Sequence, residues 1–373
     1  MRILLIAPRF HTNQVSFVRK LIEEKHEVGF FVMVHGSCEN YKYLTPVTIP
    51  ISNISQLLLR KQKTNDIARF AANAMPKPIK YLAMVKSFRP DVIIIRGAST
   101  PVYAKLLIPF AIIRGVKIVF YTQGPKYVRS INRFRKIHDW VVTKVLKIKW
   151  FTPVLYRGIN NDNCIDLNYI DYVPFFMYPK AKGDLNRKTP KALHFMCVGK
   201  YEPRKNIKLL IEAFEKIILK ARNSKLTIIG GCDKIERERY YEECLQLVRT
   251  KSLEKNIMLL KNIPYDQVGY YYSISHIIVM PSVNEPASIS EMEAMSYGLA
   301  VISSSDNGSA HYINNSKNGF IIDVSLNELV NSMMFYITNP EQAIVHGVES
   351  LRLINEDLSI KQSYKKLMNV INS

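Results

Sequence analysis

No stretch of this chain approaches the roughly 18–20 uninterrupted apolar residues that carry a helix across a bilayer. The longest candidate, LLIPFAII at 106–113, contains Pro109 and is flanked by Lys105 and Arg114. The opening MRILLIAPRF has too short an apolar run for a secretory signal and reads as a buried first strand. Cysteine is scarce: five, at 38, 164, 197, 232 and 244, with no pair at CxxC spacing. That argues against a disulfide framework or a zinc site and for a reducing compartment. The eight histidines are scattered and include no HExxH, so no bound metal is expected. Acid is the other shortage, with 31 Asp and Glu against 52 Lys and Arg and a formal charge of +21. The imbalance is concentrated in residues 1–175, which hold 27 basic and 10 acidic side chains. Such asymmetry suits an anionic partner, whether nucleic acid, an anionic membrane surface or a phosphorylated acceptor, or else a solvated basic face.

What is present is a repeated alternation. RILLIAP, EVGFFVMV, DVIIIRG and KIVFYTQG are near-continuous apolar, β-branched runs, separated by amphipathic stretches such as QVSFVRKLIEEKH and by the apolar stretch 102–113. Runs of that kind belong to parallel strands buried on both faces. Between residues 160 and 190 the periodicity fades into a proline-rich linker, and the alternation restarts with ALHFMCVGK, LTIIGG, NIMLLKN, HIIVMPS and LAVISS. The fold class is therefore α/β, with two doubly wound, Rossmann-like domains in tandem. The boundaries expected are 1–175 and 176–349. The amphipathic segment 341–371 reads as helical, and a terminal helix near 350–373 is expected to pack back on the first domain.

The segment NEPASISEMEAM, 284–295, carries more than a strand-to-helix connection needs. Glu285 falls in the loop at the carboxyl end of a strand, where ligands bind in open α/β sheets. Ser288 and Glu291 have the spacing of a capping box, and the helix start they mark offers N–H groups suited to phosphate. Glu293 lies deeper in the helix, where a glutamate is ordinarily solvated.

PSVNEPASISEMEAMSYGLAVISS resembles the donor-binding segment of GT-B retaining glycosyltransferases of family 4, the glycosyl transferases group 1. There a Glu, seven residues and a second Glu are followed by Ala-Met, a Gly and an apolar strand, here Glu285, Glu293, Ala294, Met295, Gly298 and Ala300–Ser303. CVGKYEPRKNIKLLIEAF, 197–214, resembles the family's strand–Gly–basic–loop–Lys–helix segment, with Lys200 and Lys205 at its two cationic positions and Arg204 beside them. The resemblance is specific over about 195–325 and architectural before that. It implies two Rossmann-like domains facing a central cleft, the second of which binds a nucleotide sugar. Glu285, Lys205 and Lys200 would be the catalytic set: Glu285 contacts the transferred sugar, and the lysines stabilise the departing diphosphate. Glu293 would bind the ribose hydroxyls, and the N–H groups at Ala287, Ser288 and Ile289 the distal phosphate, with Arg204 a neighbouring cation. Gly230, at the end of LTIIGG, and Asn262-Ile263 would border the nucleotide. One departure is Pro286-Ala287-Ser288 where relatives often have Gly-Phe-Gly.

In the first half, the Gly-rich turn common in relatives is replaced by Pro8–Asn13, and the usual His at the end of the strand corresponding to KIVFYTQG by Thr122-Gln123-Gly124. His11, Gln123 and Gly124 are the acceptor-side candidates. Residues 126–151 hold eight Lys or Arg, one acid and both tryptophans, the composition of a helix on anionic lipid or of an ordinary helix and strand. No nucleic-acid module accompanies them. The expected function is retaining transfer of a sugar from a nucleoside-diphosphate sugar to a hydroxyl of a lipid-linked saccharide in bacterial surface polysaccharide synthesis, such as O-antigen or capsule. It would need no metal or other cofactor, engage no nucleic acid, and work in the cytoplasm at the inner face of the membrane. The alternatives are another GT-B activity, a sugar-nucleotide epimerase or inverting transferase, and a non-catalytic basic binder of membrane or nucleic acid.

Overall fold

The computed structural model describes residues 1–35, 40–61, 74–97, 101–156, 164–181 and 189–373. Cys38 and parts of the 160–190 linker lie outside the described residues, whereas Cys164, Cys197, Cys232 and Cys244 are free thiols. The chain divides into two compact units: Met1–Leu155, Asp162–Phe176 and Ile360–Ser373 form the first, and Tyr156–Asn161 with Met177–Ser359 the second.

The first unit contains strands β1 (Arg2–Ala7), β2 (Glu27–Val32), β3 (Val47–Thr48), β4 (Val92–Arg96), β5 (Lys117–Tyr121), β6 (Tyr127–Val128), β7 (Lys149–Thr152), β8 (Ile165–Asp166) and β9 (Ile170–Tyr172). Seven of them form a sheet in the order β3-β2-β1-β4-β5-β7-β9, every pair parallel, while β6 and β8 make a separate antiparallel ribbon. Side chains alternate between the sheet's faces, and both faces are covered. Leu4, Ile6, Ile93, Ile95 and Phe120 enter one buried cluster, and Ile3, Leu5, Ile94 and Val119 the other. That double burial is why the strands read as continuous apolar runs. The apolar stretch 102–113 is a helix, Val102–Ile113, that carries Pro109 inside it.

The second unit contains β10 (His194–Val198), β11 (Lys225–Gly230), β12 (Ile257–Lys261), β13 (Ile277–Met280), β14 (Ala300–Ser304) and β15 (Gly319–Ile322), in the order β12-β11-β10-β13-β14-β15 and again all parallel. Each sheet changes winding direction beside its first strand, between β1 and β4 and between β10 and β13. This is the doubly wound topology whose ligands sit at the carboxyl ends next to that switch.

The segment 341–371 is not one helix. Pro340–Asn355 ends before Glu356, and Ile360–Asn372 begins a new helix. The reason lies in their burial partners. Ala343, Gly347 and Ile354 are buried in the second unit, whereas Leu367, Val370 and Ile371 join the first unit's core with Phe17 and Phe151.

Candidate active site

In the second unit the loops after β10 and β13 are fastened together by a side-chain and a backbone hydrogen bond. A 3-10 turn, Pro203–Lys205, follows β10, and Asn206 after it takes φ +51°. Asn206 Nδ2 donates to Pro281 O at 2.8 Å, and Val283 N–H to Arg204 O at 2.8 Å. These bonds bring residues some eighty positions apart into contact. Lys205 Nζ lies 2.5 Å and Arg204 Nη1 2.7 Å from the same oxygen of Glu285, Oε2. Lys205 and Glu285 are only 6% and 7% exposed, so this charge cluster sits largely out of water. A Cβ on Gly199 would stand 3.1 Å from Lys205 Cε, so the glycine leaves room for the lysine to pass. Lys200 is exposed and outside the Lys205–Glu285 contact, on the side of Glu202 and Asp233. Burial alone would raise the Glu202 carboxyl, but Arg237, Arg204 and Lys200 hold it below the usual range.

The helix Ile289–Ser296 follows the Glu285 loop. The capping box expected at its start does not form. Ser288 occupies the N-cap without a side-chain cap bond, and its Oγ is buried without a partner. Glu291 turns inward instead: it is fully buried, its Oε1 accepts from Asn307 Nδ2 at 2.8 Å, and its Oε2 has no partner. Desolvation, reinforced by the Glu285 charge, pushes its carboxyl up to about 8. Asn307 Oδ1 accepts from Ser309 N–H at 3.0 Å, Ser309 Oγ accepts from Ser288 N–H at 2.6 Å, and Gly308 N–H donates to Glu285 O at 2.9 Å. The 307–309 loop thus braces the Glu285 loop. Of the three N–H groups expected to face a phosphate, that of Ser288 is already engaged by Ser309. Those of Ala287 and Ile289 make no hydrogen bond among the described residues.

Glu293 is 8% exposed rather than solvated. Burial raises its carboxyl, and two tyrosines offset part of that: Tyr265 Oη donates to Oε1 at 2.5 Å and Tyr272 Oη to Oε2 at 3.1 Å. Each carboxylate oxygen keeps a further lone pair for a hydroxyl. Gly230, Asn262 and Ile263 lie at the carboxyl ends of β11 and β12. A Cβ on Gly230 would meet Gly199 O and the Tyr201 ring at 2.5 Å, so only glycine fits. Asn262, at φ +53°, donates its N–H to Gly230 O at 2.9 Å and accepts from Cys232 N–H at 2.7 Å, which fixes the 230–232 turn.

The first unit assembles its own polar cluster at the carboxyl ends of β1, β4 and β5. His11 precedes the helix Thr12–Glu23 and donates its backbone N–H to Gln14 Oε1 at 2.9 Å. Arg96, at the end of β4, reaches the same Gln14 oxygen at 3.4 Å and Gln123 Oε1 at 2.9 Å. Gly124 N–H donates to Thr122 Oγ1 at 3.0 Å. Arg96 and Gln14 were not singled out from sequence, nor were Tyr265, Tyr272, Asn307 and Ser309. Their only signal was position just past or opposite a strand end. Of the two tryptophans, Trp150 is core at 5% exposure and Trp140 is 59% exposed. Among the described residues no helix is long and apolar enough to cross a membrane, and no three His, Cys, Asp or Glu side chains group as a metal site would.

Residues 181–344, the stretch that holds the Lys205–Glu285 cluster and Glu293, match the family model for glycosyl transferases group 1. Over 377 residues the chain is 22% identical to an uncharacterized glycosyltransferase of Haemophilus influenzae, covering 92% of this chain and 99% of that protein. It is 24% identical over 178 residues to the lipopolysaccharide core biosynthesis mannosyltransferase LpcC of Rhizobium leguminosarum, a match to 48% of this chain and half (50%) of that one. The crystal structure of Anabaena HepE in complex with UDP superposes with a TM-score of 0.69 at 11% identity and covers 100% of both chains, a likeness of fold. Two doubly wound units and this likeness give the chain the GT-B fold, its residues 181–344 are similar to glycosyl transferases group 1, and these similarities support transferase activity.

Proposed function

We propose that this chain moves a sugar, with retention of anomeric configuration and without a metal, from a nucleoside-diphosphate sugar to a hydroxyl of a lipid-linked saccharide in bacterial surface polysaccharide synthesis. The observation that carries the reading is the convergence of Lys205 and Arg204 on Glu285 at the switch point of the second sheet. Two cations held ready by one carboxylate are suited to a diphosphate, and they stabilise charge as it leaves. When the donor binds, the cations turn to phosphate oxygens, and Glu285 is released to accept from sugar hydroxyls. Lys200 adds a third cation at the rim, and Glu293 takes the ribose hydroxyls on the lone pairs its tyrosines leave. The bond from the anomeric carbon to the phosphate oxygen breaks as the acceptor oxygen bonds to the same face. The departing phosphate oxygen takes the acceptor proton, so no protein base is required. His11, Gln123 and Gly124, with Arg96 behind Gln123, serve the acceptor side.

Surface glycan synthesis is favoured by the likeness to LpcC, a lipopolysaccharide core enzyme by name, and a nucleoside diphosphate by the UDP bound to HepE. Attachment to the inner face of the cytoplasmic membrane is favoured by the helix Arg133–Trp140. It exposes Phe134 at 86%, Ile137 at 55% and Trp140 at 59% among Arg133, Arg135 and Lys136. Basic groups interleaved with exposed apolar ones suit an anionic lipid surface.

The test is thermal-shift titration with UDP, GDP, ADP, CMP and their sugar conjugates in EDTA, since a ligand of the native state raises its midpoint. One nucleoside diphosphate is expected to stabilise selectively. Glu293→Ala should lose the shift, and Glu285→Ala should keep it while slowing transfer. Product NMR showing the anomer opposite to the donor's would refute retention, and a shift or turnover that needs a divalent ion would refute the metal-free mechanism.

A further inference from the structure

A cavity of about 500 Å³ opens in the first unit beneath the basic segment, within the size range of small-molecule sites. It lies at the amino-terminal ends of β7 and β9, because Lys149 begins β7 and Asn168 and Tyr169 immediately precede β9. Gln123 follows the carboxyl end of the parallel strand β5, so the two sites sit at opposite ends of one sheet. The topology that explains ligands at carboxyl ends therefore does not account for this cavity.

Its wall is built. The helix Arg133–Trp140 runs into a π-turn, Val141–Val145, in which Leu146 N–H reaches back to Val141 O at 3.0 Å and Thr143 Oγ1 to Asp139 O at 2.7 Å. π-turns are uncommon and concentrate at functional sites, and this one contributes Thr143 and Lys144 to the cavity. Behind it Asp139, 5% exposed, accepts from Arg135 Nε at 3.3 Å and from Tyr169 Oη, and contacts His138 Nδ1 at 2.8 Å. Asp139 is thus already satisfied and stiffens the wall. The groups left for a ligand are the ammoniums of Lys136, Lys144 and Lys149, which form no ion pair among the described residues, with Asn168, Asp171 and the exposed indole of Trp140.

Those groups select a chemistry. Three ammoniums without a carboxylate partner call for an anion, and phosphate is the anion lysine binds as a point charge. A bare phosphate site would not include the Asp171 carboxylate, which accepts hydrogen bonds but repels anions. Asp171 and Asn168 suit hydroxyls, and Trp140 offers a flat apolar surface. We propose that this cavity is a second ligand site, separate from the donor site, that binds a sugar or polyol carrying a phosphate, either free or as the head of a lipid.

The two tryptophans make the test direct. In Trp150→Phe, which removes the buried indole, Trp140 is the only tryptophan left and lines the cavity. Glucose 1-phosphate should change its fluorescence saturably. Lys144→Glu, made at an exposed position and checked for an unchanged unfolding midpoint, should weaken that binding about tenfold or more. Glu293→Ala should leave the titration unaltered, so a failed donor-site assignment would not touch the result. If glucose 1-phosphate is silent, phosphatidylcholine vesicles carrying phosphatidylinositol should give a larger response than vesicles carrying the same charge as phosphatidylglycerol, again lost in Lys144→Glu, and the source is then a headgroup. Equal responses to the two vesicles would leave an interfacial helix and overturn the site. So would an equal response to methyl glucoside, or no response to either probe.

Discussion

Replacing Glu291 by Gln should stabilise the protein, and more so as pH rises. The glutamate is fully buried, one oxygen accepts from Asn307, and the other has no partner. Burial pushes its carboxyl up to about 8 in the folded state, against an ordinary 4.5 when exposed. Between those values the folded state holds a proton that the unfolded state has released. Stability from this group is therefore greatest below about 4.5 and falls as pH rises toward 8. At about 1.4 kcal/mol per pH unit, the loss from pH 5 to pH 8 is on the order of 4 kcal/mol. Glutamine keeps the carbonyl that Asn307 needs and has no proton to lose. Other groups titrate in both proteins and cancel in the difference. For a domain of this size about 1 kcal/mol moves the midpoint by roughly 2–4 °C. The Gln variant's midpoint should thus climb relative to wild type by roughly 8–16 °C between pH 5 and pH 8, in paired scans at one heating rate. A difference that stays constant with pH, or a Gln variant equally destabilised throughout, would refute the reading of Glu291 as a buried neutral acid.

Lys205→Met leaves the buried Glu285 carboxylate with Arg204 alone. Steady-state assays should show kcat lowered by roughly 10²–10³, and chemical denaturation a stability loss of about 1–3 kcal/mol. Asn262→Ala removes the 2.7 Å bond to Cys232 N–H from a residue at φ +53° and should cost about 1–3 kcal/mol by the same measurement. Phe134→Ser, at a side chain 86% exposed, should change stability by no more than about 0.5 kcal/mol. In cosedimentation it should weaken binding to anionic vesicles, and undiminished binding would remove this helix from the membrane contact.

The segment 284–295 and the loop after β10 show how far the primary structure reached and where it stopped. Glu285 and Lys205 were grouped by the family resemblance, with Lys200 as the third member, whereas it is Arg204 that joins Lys205 on Glu285 and Lys200 stays outside that contact. Glu293 was legible by pattern alone; its two tyrosine donors lie on the helix Tyr265–Ile274, which only the tertiary fold sets against it. Ser288-Ile-Ser-Glu291 was misleading. A capping box is a local preference of modest strength, and here Asn307 and Ser309, from a loop twenty residues on, supplied competing bonds to Glu291 and to the Ser288 backbone. Trp140 and Trp150 shared one reading of a basic, aromatic segment, yet one is solvent-facing and the other packs on Phe120.

The sequence by itself determined the alternation of strands and helices, the doubly wound class and the cationic loop after β10. Each of these follows from hydrophobic period and local chemistry within a few turns of chain. Only the tertiary structure decided that Arg96 reaches Gln123, that the C-terminal segment breaks to serve two cores, and that Glu291 is buried with its carboxyl pushed up. Those outcomes depend on what another, distant segment places against each side chain, and burial and pairing are properties of the pair.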